Sequence, residues 1–587
     1  MTRHIVTTGL AVLGLLAAST GTAPAQEADT RPNILVVVVD DAAFMDFGAY
    51  GGEARTPAID ALARRGMLFT AHRSTPLCAP SRAMLLTGLD AHRAGVGTIP
   101  EVIPPEHRGA PGYRLSLDPS VATIAESLQE AGYFTAMTGK WHLGHGAGET
   151  PDAQGFERSF ALDASGADNW EQKSYMPYYR GAPWFEDGQP ATLPEDFYSS
   201  RFIVDRMIDY LDTPERDGRP FFAYVAFQAI HIPLQVDPAY TDAYVDTYAG
   251  GWDALREDRL QRAIDLGLVA PDTVLAETPD RLRPWDSLTD EQRTLYTRSM
   301  AVNAGMLEAM DAHLGRLIDH LDATGALDNT LIVITSDNGP EPSHPVGEPG
   351  FRFWMFRNGI SWDVETLGEP GTTAFIGPEW AFAAASPFNL FKFYASEGGL
   401  RVPLVMAGPG IAQGGRVGAA TSVADIAPTL ADAAGLNADP ARFTGRSLAG
   451  LLTGAPDTGF AERSIGFEVS GNAAFVQGRW KLVRNLAPWG SGEWQLFDIE
   501  ADPGETTDMG DSEPLVLARM IASYNDWAET AGVLPMPEGY SVHRQIFRNA
   551  IRRQLSFYWP WLAGIALVLV GGIGMIVFSR RRKTHGG

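Results

Sequence analysis

Cysteine is almost missing from this chain. Its 587 residues hold one thiol, Cys78, so no intramolecular disulfide can form, whatever the compartment. Positive charge is also scarce: 46 Lys and Arg stand against 71 Asp and Glu, a formal net charge of −25. No domain-wide basic patch is available, which excludes nucleic acid as a partner. An anionic small molecule is not excluded. Surface charge is screened over about 8 Å at physiological salt, so a few cations inside a pocket decide that matter. Internal repeats and low-complexity tracts are lacking as well. What remains is ordinary: 45% hydrophobic and 10% aromatic residues, the composition of a globular protein. The length suits one large catalytic domain with a smaller companion.

Long apolar runs occur only at the two ends. Arg3 precedes an apolar stretch from Ile5 to Ala18, and Ala23-Pro24-Ala25 follows. A short apolar region closed by an A-x-A site predicts a secretory signal peptide over 1–25. Near the other end, Phe557 to Phe578 is 22 residues without a charge. As a helix it spans roughly 33 Å, enough for a hydrocarbon core of about 30 Å. Tyr558, Trp559 and Trp561 suit the headgroup level, and Arg580-Arg581-Arg582-Lys583 opens a basic tail over 579–587. That tail reads as a cytoplasmic stop-transfer flank. The outer flank is basic too, so the signal peptide settles the orientation. The expectation is an exported protein on the periplasmic or extracellular face, tethered to the membrane by a C-terminal transmembrane helix. Bacterial sorting tails share this pattern and are removed. No small-residue cleavage motif stands directly before Phe557, so the intact helix is expected.

Between the ends, Asn33 to Val39 is a continuous apolar, β-branched run, the mark of a strand buried on both faces. It runs into Asp40-Asp41. Phe221 to Phe227 reads as a second strand of this kind, and Leu331 to Thr335 as a third, running into Ser336-Asp337-Asn338-Gly339. Thr56 and Pro57 predict a helix start, with Thr56 as N-cap, and Gly66 closes it before Met67-Leu68-Phe69. Met306, Met310, Leu314 and Leu317 recur at helical spacing and predict core packing. Alternating buried strands and amphipathic helices predict an α/β fold with a large, mostly parallel mixed sheet sandwiched by helices. Residues 164–200 and 340–390 are rich in Trp, Pro and Gly, and read as long loops framing a pocket mouth.

Asp40, Asp41, Asp337 and Asn338 are oxygen ligands at strand ends, where open α/β sheets bind their ligands. Hard oxygen donors suit Ca²⁺ or Mg²⁺ rather than zinc. Cys78 lies in Cys78-Ala79-Pro80-Ser81-Arg82, flanked by Thr75-Pro76-Leu77 and by Ala83-Met84-Leu85-Leu86-Thr87-Gly88. The apolar part of that stretch reads as the first turns of a helix, which puts position 78 near a helix N-terminus that favours anions. Thr138-Gly139-Lys140-Trp141-His142-Leu143-Gly144 follows, then His231 in Ala229-Ile230-His231-Ile232-Pro233. Lys392 precedes Glu397-Gly398-Gly399-Leu400-Arg401-Val402-Pro403.

In this order these motifs resemble those of the type I sulfatases, arylsulfatase branch, across residues 31–535. The resemblance implies a catalytic domain over 31–455 and a small antiparallel-sheet subdomain over 456–540. It also implies that a formylglycine-generating enzyme oxidises Cys78 to Cα-formylglycine. A hydrated aldehyde carries two hydroxyls on one carbon. One attacks sulfur; the other loses its proton so that sulfate departs and the carbonyl re-forms. Asp40, Asp41, Asp337 and Asn338, with position 78, would hold one divalent cation, usually calcium. Lys140 and Lys392 would bind sulfate oxygens, and Arg82 would hold the deprotonated hydroxyl. His142 would take the second hydroxyl's proton, and His231 or Lys392 would serve the leaving alkoxide. The implied substrate is a sulfated small molecule or glycan. A phosphonate or phosphate monoester hydrolase of the same superfamily shares the nucleophile and metal and is the closest rival. A catalytically silent binder of sulfated glycans is a more distant one.

Overall fold

The computed structural model describes residues 30–146, 148–454 and 459–584. The expected signal peptide lies outside the described residues. A ten-stranded sheet organises the rest. Its centre is five parallel strands in the order Thr330–Ser336, Asn33–Val39, Phe221–Ala226, Phe134–Lys140 and Arg158–Leu162. Leu404–Ala407 runs antiparallel beside Thr330–Ser336, and Met67–Phe69 beyond it leads to the edge. Trp184–Glu186 and Gln189–Pro190 close the opposite side.

The pleat explains why the central strands read as unbroken apolar runs. Along Asn33–Val39, Leu35, Val37 and Val39 enter one core and Ile34, Val36 and Val38 the other. Successive side chains point to opposite faces, so a strand covered on both faces needs apolar residues at every position. The first core includes Ile59 and Leu62 from the Pro57–Arg65 helix, with Met306, Met310, Leu314 and Leu317 from the Asp290–Ala323 helix. The second receives Leu85 and Leu86 from the Cys78–Thr87 helix.

Parallel strands share one carboxyl edge, and there the motifs converge. Val39 pairs with Ser336, and Ala226 with both Val38 and Gly139. Asp40-Asp41, Asp337-Asn338, the segment to His231, and Lys140 with His142 therefore leave the sheet side by side. Gly139 is required here. Its φ is +104°, and a Cβ would stand 1.8 Å from the Ala226 carbonyl oxygen, a clash no side chain relieves.

A separate four-stranded antiparallel sheet is formed by Ser464–Val469, Asn472–Gln477, Trp480–Arg484 and Gln495–Asp498. The Pro514–Ala531 helix covers it through Met520 and Tyr524. Asn472–Gln477 and Trp480–Arg484 are joined by a tight turn at Gly478. A last helix, Val542–Thr584, contains Pro560 and bends by 46° between Val542–Trp561 and Ala563–Ile573. A proline inside a helix removes one backbone bond and crowds the preceding turn, which accounts for the bend. Among the described residues no single helix is long and apolar enough to cross a membrane, while this bent pair qualifies by length and composition.

Two local expectations need correction. Thr56 precedes its helix as expected, yet its side chain does not cap it. The free amides of Ala58 and Ile59 donate instead to Asp311, at 2.9 Å each. The 340–390 segment is not all loop, for it holds helices at Phe351–Asn358 and Gly377–Ala384.

Candidate active site

Cys78 is the first residue of the Cys78–Thr87 helix, and its side chain is buried. Ser81 fastens the preceding turn: its Oγ accepts from the Thr75 amide at 3.0 Å and lies 2.8 Å from Thr75 Oγ1. The sulfur is held against the carboxylates, with Sγ 3.4 Å from Asp40 Oδ1 and 3.8 Å from Asp41 Oδ1. Burial pushes the thiol well above its usual range, and Asp337 adds to the effect. An unmodified thiol here is neutral and a poor nucleophile, because the thiolate is the reactive form.

Around Cys78 the structure brings every expected site residue together. Lys140 Nζ lies 2.5 Å from Asp40 Oδ2. Arg82 donates from Nε to Asp337 Oδ2 at 2.8 Å and from Nη1 to the Lys140 carbonyl at 2.9 Å. Lys392 Nζ lies 2.7 Å from Asp41 Oδ1, and Asn338 Nδ2 donates to that oxygen at 2.6 Å. His231 Nδ1 lies 2.6 Å from the Ile232 carbonyl, and Nε2 stands 3.9 Å from Asp41 Oδ2. His142 is buried with neither ring nitrogen hydrogen-bonded. Other histidines serve elsewhere: His92 pairs with Glu468 at 2.9 Å, His145 pairs with Asp163, and His72 is buried beside Thr421.

Charge in this pocket is crowded. Burial, with Asp337 adjacent, raises Asp40 to about 7 despite Lys140. Burial would also raise Asp41, but the Lys392 ammonium above all outweighs it and brings it down to about 2. Burial holds both histidines well below the usual imidazole value, reinforced at His142 by Lys140 and Arg82. Both rings are therefore neutral, and each has a nitrogen free to accept a proton. Lys392 is driven the other way, for Asp41 overcomes the cost of burial and keeps it protonated.

These residues fit a hard divalent cation. Asp41 Oδ2 and Asn338 Oδ1 are buried with no hydrogen-bond partner. Single ligand atoms of Asp40, Asp41, Cys78 and Asp337 all lie within 4.8 Å of one another. Buried carboxylate oxygens without donors are costly unless something positive fills the gap. Oxygen donors select calcium or magnesium.

Glu341 is the residue the sequence reading missed. It is buried, and its Oε2 lies 2.8 Å from Lys392 Nζ. The available signal was Lys392 itself: a lysine flanked by Phe391 and Phe393 and buried in the fold needs a second counter-ion.

A large α/β layer structure, a strand-end acidic site and a buried residue 78 among fixed cations define a class of hydrolase acting on anionic esters. The particular family follows from comparison. The sulfatase family model matches residues 32–436, and the chain belongs to that family. It is a sulfuric ester hydrolase. An uncharacterised sulfatase of Schizosaccharomyces pombe is 34% identical over 547 residues, covering 88% of this chain and 96% of that protein. An arylsulfatase of Klebsiella aerogenes is 34% identical over 421 residues, covering 69% of this chain and 87% of its own. Among solved structures, one in complex with its substrate D-glucosamine-2-N,6-O-disulfate has a TM-score of 0.57 at 22% identity, covering 87% of this chain and 100% of that one. At that identity the likeness speaks for the fold.

Proposed function

We propose that the enzyme hydrolyses aryl or carbohydrate sulfate monoesters, using an aldehyde hydrate at position 78 beside one calcium ion, or magnesium on the same donors. The observation that carries this reading is the set of partnerless buried oxygens, Asp41 Oδ2 and Asn338 Oδ1, at a sulfur only 3.4 Å from Asp40. Asp40, Asp41, Asp337 and Asn338 would hold the cation, which supplies polarisation of a sulfate oxygen and of the hydrate. The hydrate itself supplies a nucleophile with a built-in release route. Lys140 and Lys392 offer ammonium groups to the sulfate oxygens in a dry site, where fixed charge counts most. Arg82 is anchored by Asp337 and the Lys140 carbonyl and screens the carboxylates behind residue 78. His142, neutral and without a partner, accepts the proton released when sulfate leaves. On the leaving-group side Lys392 already carries a proton, whereas His231 must first gain one. Lys392→Met and His231→Asn therefore separate the roles: the true acid's variant loses most with poor leaving groups.

The Klebsiella relative is named an arylsulfatase, which favours aryl sulfates within this range. Purified full-length protein assayed on aryl, alkyl and carbohydrate sulfates tests the reading. Turnover of phosphate or phosphonate monoesters with none of any sulfate would overturn it.

We also read the enzyme as exported and tethered by the Phe557–Phe578 segment. Protease added outside intact cells should release the catalytic part and leave a short protected tail. A soluble truncation is best made after Ser556, because Gln545 and Asn549 are buried against the 101–103 backbone.

A further inference from the structure

The C-terminal helix is more than a tether, because it reaches the catalytic site through one short loop. Gln545 donates to the Ile103 carbonyl at 3.2 Å, and Asn549 to the carbonyls of Glu101 and Ile103 at 2.9 and 3.0 Å. These contacts dock one face of the helix and leave Phe547, Ile551 and Leu555 exposed at four-residue intervals, with Arg544, Arg548 and Arg552 on the neighbouring stripe. Further along, Arg180 donates to the Phe557 carbonyl at 2.5 Å and lies over the Phe557 ring at 4.4 Å. Phe557 opens the uncharged run. The same loop carries Tyr175, whose ring meets His231 edge-on with centroids 5.3 Å apart. From Tyr175 to Arg180 the backbone spans at most about 18 Å. His231 is therefore tied to the start of the apolar run through one short loop.

A second element points the same way. The Phe351–Asn358 helix turns Phe351 and Met355 inward onto Ile232, the neighbour of His231. Its opposite face presents Phe353 and Phe356, 68% and 79% exposed, one turn apart and flanked by Arg352 and Arg357. Glu348, just before this helix, pairs with His543 at 3.2 Å. Along the C-terminal helix runs an open groove of about 680 Å³, lined by Phe547, Ile551 and Leu555 with arginines at its rim, and walled across from them by Glu348 and Pro349, just ahead of the Phe351–Asn358 helix. Exposed aromatics ringed by arginine, continuous with an apolar helix, match an anionic lipid surface in both polarity and charge.

We propose that the Phe351–Asn358 helix and the Arg544–Leu555 face seat the mouth of the catalytic site on the lipid surface, and that the substrate is the sulfate monoester of a membrane-resident amphiphile. The proposal deepens the sulfatase reading and rests on it, and on the membrane tether. On this reading the apolar tail lies against the groove and in the bilayer, and the sulfated head enters from the side that carries Tyr175 and Ile232. A water-soluble ester reaches the same centre without touching Phe353 or Phe356.

The test uses full-length protein reconstituted in vesicles of phosphatidylcholine and phosphatidylglycerol. Two probes are compared: nitrophenyl sulfate in solution, and the same aryl sulfate carrying a long alkyl chain in the vesicle. The double substitution Phe353→Glu with Phe356→Glu should leave nitrophenyl sulfate turnover unchanged and lower turnover of the vesicle-borne ester about tenfold or more. Equal loss on both probes, or loss on neither, overturns the proposal. A readout free of activity runs beside it. A fluorophore on Phe356→Cys should be quenched by lipids brominated in their acyl chains, and an unquenched label overturns the seating. Failure of the sulfatase reading looks different: the label is quenched, yet neither ester is hydrolysed, which removes the substrate class with it.

Discussion

Two buried charge clusters differ in what they leave unsatisfied. At the strand ends, Asp40, Asp41, Asp337 and Glu341 face Arg82, Lys140 and Lys392, and two oxygens and both His142 nitrogens have no hydrogen-bond partner. Some residues away, Glu397 receives Arg73 at 2.8 and 2.7 Å, Lys481 at 2.8 Å and Arg401 at 3.4 Å. Lys481 also meets Glu505 at 2.6 Å, so this second knot ties the small sheet to the Gly398-Gly399 turn. The first cluster keeps spare valence and carboxylate excess; in the second both carboxylates meet cations that join distant segments of the chain. An incomplete buried network is a functional device, and a completed one is a structural joint.

The comparison breaks most sharply at residue 78. Cys78→Ala should lower turnover by roughly four orders of magnitude or more, since it removes the group the whole site acts through. The thermal midpoint should hardly move, because the side chain is small and its environment unfavourable for it. In active wild type, the tryptic peptide Ser74–Arg82 should show the mass deficit of a thiol converted to an aldehyde and should react with a hydrazide. Active enzyme containing only free thiol would sink the mechanism.

Glu397→Ala should do the reverse. It strands Arg73 and Lys481 in the interior without their carboxylate, and breaking a buried pair from one side costs about 3–5 kcal/mol. Denaturant unfolding should show that loss, together with earlier exposure of the 464–498 sheet to proteolysis. If Glu397→Ala matches wild type in stability, the structural role assigned to this knot is wrong.

How much of this was legible beforehand depends on range. Asp40-Asp41 and Asp337-Asn338 follow β-branched runs, so their place at strand ends could be read locally. Cys78 announced itself through five adjacent residues. The Glu397 knot could not be read that way, for its partners lie 324 and 84 residues off and a paired buried carboxylate leaves no periodic mark. Asp311 capping a helix 252 residues earlier escaped for the same reason, as did Glu341 behind Lys392. The exposed Phe353 and Phe356 were hidden differently, since periodicity marks the buried face of a long helix better than the outward face of an eight-residue one.

A smaller effect separates the clusters by metal. Asp337→Ala should abolish activity and remove the stabilisation that added calcium should give wild type, about 2.7 kcal/mol at a calcium level of roughly 100 Kd. Glu397 variants, though weaker overall, should keep the full calcium increment. Wild type stripped of metal and still fully active would contradict the assignment.

Acidity gives the finest discrimination, because one carboxylate in each cluster, Asp40 and Glu397, is shifted in the opposite direction. Asp40 sits at about 7 against an ordinary 3.8, chiefly through burial and then Asp337. The folded metal-free protein therefore holds a proton that the unfolded chain releases, so stability rises as pH falls from about 7 towards 4. Glu397 is shifted the other way: burial alone would raise it, but Arg73 and Lys481 hold it well below its ordinary 4.5. Its contribution is full above that value and is lost as pH falls through the depressed one. In chelator, the thermal midpoint should accordingly climb on mild acidification and then drop in stronger acid. Saturating calcium should flatten the climb, because the cation competes with the Asp40 proton, and leave the acid limb in place. In Asp40→Asn the climb should shrink even without metal, leaving the part due to Asp311, which burial raises to about 6; an undiminished climb would show that Asp40 does not contribute.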